Sequence, residues 1–175
     1  MLTATEYNSF ECAKALTEKV TRDPYLGSPF YNVRILSSRS KGAHFEKITK
    51  EYFKNRLDLR VTKPYSSDHD TVIEGAKVEI KGSTLWVDDR GESTHFRWQQ
   101  IRIHQDYDIM VFVAVYPDVI KFFYATKQDI IDNLDPYANN QHGGKSVDSG
   151  TMFVDGYPEN FPWMKEINDA SFVQR

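Results

Sequence analysis

The stretch Ile109–Tyr116, reading IMVFVAVY, constrains the fold of this chain more than any other part of it. A nearly unbroken apolar run of that length suits a strand buried on both faces, the central position of a sheet. Pro117-Asp118 then signals a turn, and VIKFFYA after it reads as an antiparallel partner. Upstream, Phe45, Ile48, Tyr52 and Phe53 fall at i, i+3, i+7 and i+8, which predicts a helix from Ser40 or Gly42 to about Asn55. Leu57, Leu59 and Val61 alternate, as do Val78 and Ile80, and both sets predict strands. Lys127–Leu134 reads as a short helix. A further helix is expected within residues 4–20, with Phe10, Cys12, Ala13, Leu16 and Val20 on its apolar face. Asp23-Pro24, Gly27 and Pro29 mark a loop, and 136–150 a polar loop. The expectation is an α/β fold with a mixed sheet, in a single domain spanning 1–175.

Composition narrows the classes of function. At 175 residues, 40% hydrophobic and 27% charged, the chain has the makings of one globular domain rather than a disordered one. Cys12 is the only cysteine, which excludes an intrachain disulfide and a cysteine-rich metal site. No apolar run approaches the roughly 20 residues that span a bilayer. The first residues, MLTATEYNSFE, lack the basic and apolar regions of a signal peptide. A soluble cytoplasmic protein with no membrane partner is therefore expected. The high aromatic content, 14%, is read as packing rather than base stacking.

The net charge of −3 excludes a uniformly basic coat protein but hides an asymmetry. Nine basic and three acidic residues lie between Arg34 and Lys63, a net +6 against −9 for the rest of the chain. Arg39, Lys41, Lys47, Lys50 and Lys54 belong to this segment. It is either a solvated face or the footprint of a polyanion.

The chemistry concentrates in Asp68-His-Asp-Thr-Val-Ile-Glu-Gly-Ala-Lys-Val-Glu-Ile-Lys81. If Val78 and Ile80 share one face of a strand, Glu79 and Lys81 share the other, about 7 Å apart. Glu74-Gly75 is a plausible two-residue turn, glycine supplying the positive φ. That turn sets Ile73 against Ala76, Thr71 against Val78, and Asp70 directly opposite Glu79, with Cβ atoms about 5 Å apart. Asp68 would then face Lys81. Two carboxylates so close repel unless a proton or cation lies between them, and with oxygen ligands the natural cation is Mg²⁺. Lys81 sits where it can stabilise transition-state charge. A slip of one residue would place a different set on this face. The alternative is an exposed hairpin of alternating charge.

Asp70 followed by Glu79-Ile80-Lys81 resembles the PD-(D/E)xK nuclease superfamily, the restriction-endonuclease-like proteins. His69 stands where the usual proline would precede the first acid. Glu46, in Lys41-Gly-Ala-His-Phe-Glu-Lys47, is similar to the acid on the first core helix that often assists metal binding. Phe96-Arg-Trp-Gln-Gln-Ile-Arg102, then Gln105-Asp-Tyr-Asp108 and the apolar strand, is similar to the region after the catalytic strand of restriction enzymes. The resemblance covers about residues 40–130. It implies an αβββαβ core, with a central mixed sheet flanked by helices, and metal-dependent hydrolysis of DNA phosphodiesters. Asp70 and Glu79, with Glu46 nearby, would hold Mg²⁺ (Mn²⁺ as substitute), and Lys81 would act on the water or the phosphate. A type II restriction enzyme cutting double-stranded DNA as a homodimer is the form expected. A Holliday-junction resolvase, a repair or homing endonuclease, and a non-catalytic DNA-binding module are the alternatives.

Other candidates carry less. Gln99 and Gln100 read as ordinary helix residues or as groups approaching the metal site or the DNA. His69 and His104 lack paired ligand spacing and read as surface or supporting residues. Gly143-Gly144-Lys145 lacks the rest of a P-loop signature. The polar loops 86–95 and 136–150 are candidates for base readout, with no residue assigned to a base.

Overall fold

The computed structural model describes residues 14, 23–87, 94–136, 138–140 and 151–173. The helix expected within 4–20, Cys12, most of the polar loop 136–150 with Gly143-Gly144-Lys145, and the middle of the 86–95 loop lie outside the described residues. The fold is mixed α/β. A five-residue helix α1 (Tyr31–Ile35) precedes the long α2 (Ser38–Arg56), which Ser37 caps by accepting the Ser40 N–H. Phe45, Thr49 and Phe53, four residues apart, are its buried positions. The strands β1 (Val61–Thr62), β2 (Thr71–Ile73), β3 (Ala76–Thr84), β4 (Trp86–Val87), β5 (Thr94–Ile101), β6 (Ile109–Val115) and β7 (Ile120–Thr126) follow. After them come α3 (Lys127–Asn133), β8 (Met152–Gly156) and β9 (Lys165–Glu166).

Six strands form one mixed sheet in the order β1-β2-β3-β6-β7-β9. Every residue of β6 is buried, as its apolar run requires. It runs parallel to β3 and antiparallel to β7. The α3 helix begins where expected because Thr126 and Asp129 form a reciprocal capping box. Leu57–Arg60, expected to extend the first strand, instead make the turn out of α2, and β1 is only two residues long.

A second sheet, β4-β5-β8, carries the connection between the parallel strands β3 and β6. The αβββαβ order calls for a helix there, but among the described residues the segment from 94 to 101 is strand β5. The reason is local: Phe96 and Trp98 are fully buried while Arg97 and Gln99 are exposed, a two-residue period that only a strand satisfies. Gln99 and Gln100 are thus strand residues and not helix residues. The Trp98 indole donates to the Val113 carbonyl of β6 at 3.3 Å, and the Arg97 N–H donates to Ser83 Oγ of β3 at 3.0 Å, so β5 is tied to both central strands.

Two contacts invisible in local sequence set the shape around β3. The ring of Phe45 lies so close to Gly82 that a Cβ there would fall 1.9 Å from a ring carbon. Glycine at 82 is what lets α2 settle on the strand. Tyr25, fully buried, donates its hydroxyl hydrogen to the Val115 carbonyl and accepts the Leu85 N–H at 2.8 Å. One phenol thereby pins the chain ahead of α1 to the ends of both parallel strands. No helix among the described residues is long and apolar enough to cross a membrane.

Candidate active site

The β2–β3 hairpin turns at Glu74-Gly75, with φ of 49° and 92°, the two positive values that a type I′ turn demands. The Glu74 carboxylate accepts the Arg60 N–H, and its own N–H donates to the Arg60 carbonyl at 3.0 Å, which holds the turn against the chain leaving α2. The register is Ile73↔Ala76 and Thr71↔Val78. Just before the last pair of that ladder, the Asp70 N–H donates to the Val78 carbonyl at 3.0 Å and Asp70 Oδ2 accepts the Ile80 N–H at 2.8 Å, which sets the Asp70 carboxylate beside Glu79. Asp68 does not face Lys81. The ladder stops at Thr71, and Asp68 sits in a turn where its N–H donates to Ser66 Oγ at 3.2 Å. His69 shapes that turn. It is 3% exposed, and its Nε2 accepts the Tyr65 N–H at 3.1 Å, so it braces the approach to Asp70 from inside the fold.

Glu79 is only 6% exposed, a carboxyl buried as deeply as its neighbour Ile80. Burial pushes its pKa up to about 7; the Lys81 ammonium opposes that rise, and the neighbouring Asp70 charge adds to it. Lys81 Nζ donates to Glu79 Oε1 at 2.6 Å. Burial and the neighbouring Asp70 carboxylate thus both favour the neutral form of Glu79. A divalent cation fits the same place: the donors are hard oxygens, and their mutual repulsion is what such a cation relieves.

The pair opens on a cleft of about 730 Å³. The first half of α2 forms one wall, with Arg39, Lys41 and Glu46. Asp70, Glu79 and Lys81 line it from the hairpin, and Arg97, Gln99 and Gln100 from β5. Burial, with Arg34 nearby, holds the Lys41 ammonium below the usual lysine range. Eight of the residues singled out in the sequence therefore meet around one space: Asp70, Glu79, Lys81, Glu46, Arg39, Lys41, Gln99 and Gln100.

Three others do not meet there. Lys47, Lys50 and Lys54 lie outside the cleft lining, with Lys47 paired to Glu51 at 3.9 Å and Lys50 to Glu46 at 3.1 Å. Glu46 is on the wall but committed to Lys50, and among the described residues no three His, Cys, Asp or Glu side chains gather as a metal cage. The two carboxyls that the fold brings together in the cleft, and that could hold a cation, are Asp70 and Glu79. Arg97 is the cleft residue that the sequence reading passed over. Its signal was the Phe96/Trp98 alternation, which puts Arg97 and Gln99 on the face opposite the core. The sequence matches no family model and no curated protein.

Proposed function

We propose that the chain is a metal-dependent endonuclease of the PD-(D/E)xK kind, hydrolysing phosphodiesters of double-stranded DNA, in the form of a type II restriction enzyme acting as a two-fold dimer. The observation that carries this reading is the Asp70–Glu79 pair, with Lys81 two residues on, at the base of a cleft that also presents Arg39 and Lys41. Asp70 and Glu79 would hold Mg²⁺, or Mn²⁺ in its place. Bound there, the cation supplies Lewis acidity toward the scissile phosphate.

The chain's own residues supply the rest. The Ile80 N–H fixes the Asp70 carboxylate in place before any ligand arrives. Lys81 is held on Glu79, and on release from it presents its ammonium to a phosphate oxygen whose charge grows in the transition state. Arg39 and Lys41 neutralise flanking phosphates across the cleft. The strand β5 in place of a core helix is a departure from the family pattern; it alters the wall that meets the DNA and leaves the Asp70/Glu79/Lys81 set intact.

The test is cleavage of plasmid and phage DNA with Mg²⁺ and with EDTA. Discrete fragments that vanish with EDTA are expected. Glu79→Ala and Lys81→Ala should each lose cleavage by orders of magnitude, Lys81→Ala while retaining metal binding. Asp70→Asn should fall far below Asp68→Asn. Binding without cleavage under Mg²⁺ or Mn²⁺ would replace the enzyme reading with a DNA-binding module.

A further inference from the structure

Strand β5 breaks its own alternation at the cleft. It pairs with β8 as Phe96↔Gly156, Arg97↔Asp155 and Trp98↔Val154, then resumes at Ile101↔Met152. Two residues of β5, Gln99 and Gln100, thus stand against one of β8, which is a β-bulge. The bulge is bought with backbone strain: Gln100 has φ of 59°, a left-handed value that a residue with a side chain rarely adopts.

What the strain achieves is visible in the burial pattern. Trp98 and Ile101, three positions apart, are both fully buried, and Gln99 and Gln100 are both exposed. Strict alternation would have turned one of the two amides into the core. The bulge instead sets two glutamines side by side on the wall of the cleft, both on its lining.

The opposite wall explains what they are for. Phosphates are met by cations, and α2 already offers Arg39 and Lys41. An amide carries no charge for a phosphate but presents a donor and an acceptor together. That is the pattern of an adenine edge in the major groove, where N7 accepts and the 6-amino group donates. We infer that the Gln99–Gln100 bulge is the base-reading element of the cleft and that it selects adenine in duplex DNA. The inference rests on the reading of the cleft as a site for double-stranded DNA. The α2 wall grips the backbone, and the β5 wall reads the sequence.

The experiment is selection of bound duplexes from a randomised library by the full chain in EDTA, compared among wild type, Gln99→Ala and Gln100→Gly. The glycine keeps the left-handed backbone and removes only the amide, so the bulge survives; circular dichroism and Tm confirm that the variants fold. Wild type should enrich adenine at one or two fixed positions. Each variant should lose preference at one of them by about tenfold or more, with affinity for other sequences little changed. The inference is overturned if the wild type enriches no sequence, if adenine preference survives both variants, or if they weaken all duplexes equally, as removal of a backbone-gripping group would. Cleavage separates this from the enzyme reading. DNA cut without sequence preference would leave the nuclease standing and remove the base reader; adenine selection without cutting would do the reverse.

Discussion

A carboxyl buried beside another carboxyl makes stability depend on pH in a direction opposite to that of most acidic residues. Glu79 is raised from 4.5 to about 7 in the folded protein, burial being the main cause. Between those two values the folded chain holds a proton that the unfolded chain has released, so stability is complete below the unfolded value and falls as pH rises through the folded one. At about 1.36 kcal/mol per pH unit, the shift corresponds to about 3 kcal/mol lost between about pH 4.5 and about pH 7. Glu79→Gln removes the titration while keeping the shape. Urea denaturation of both proteins in EDTA, followed by tryptophan fluorescence at about pH 5 and about pH 8, isolates the carboxyl as a difference of differences. Wild type should lose about 2–3 kcal/mol more than the variant over that range. On the proposed metal-dependent reading, adding Mg²⁺ near the upper pH should restore wild type and leave Glu79→Gln unmoved, because a cation bound there would offset the charge on Glu79. A wild-type-minus-variant difference that stays flat across the range would refute the claim that Glu79 is a strained, buried acid.

Three other outcomes follow from the packing and charges around the cleft. Gly82→Ala should destabilise the protein by about 1–3 kcal/mol or more, since its methyl meets the Phe45 ring, and Phe45→Leu should recover part of that stability in a thermal melt. Tyr25→Phe should cost about 1–3 kcal/mol in urea denaturation, because it leaves the buried Leu85 N–H without its acceptor. For DNA affinity against salt, neutralising Arg39 and Lys41 should lower the slope by about 0.9 for each phosphate that no longer meets a cation, and neutralising Lys47 and Lys54 should leave it nearly unchanged.

The parts of the fold written in local pattern were legible in the sequence. The period of Phe45, Ile48, Tyr52 and Phe53 gave the body of α2, and the apolar run 109–116 gave the buried strand. Gly75 fixed the hairpin register from Thr71 to Val78, because a two-residue turn leaves only one partner for each position. What was missed depends on contacts distant in the chain or on broken periodicity. The bulge at Gln99–Gln100 interrupts the alternation that Phe96 and Trp98 begin, so the segment read as helix. Lys47, Lys50 and Lys54 share the basic segment with Arg39 and Lys41, but net charge along a sequence does not say which cations reach a cleft. Gly82 and Tyr25 look like any glycine and any tyrosine until Phe45 and Val115 are brought against them.

The six-stranded sheet ends in β1 on one side and β9 on the other, each two residues long. Edge strands that short are poor templates for another strand, which guards against association strand to strand. The flank of β8 in the smaller sheet is occupied in part as well, by the Asn140–Met152 bridge and the Phe153 N–H on the Asn139 carbonyl at 2.9 Å. In the two-fold dimer proposed above, the partners would then meet mainly through side chains. The pairing would be set by surface shape and charge, a form of association that single substitutions can weaken without disturbing either sheet.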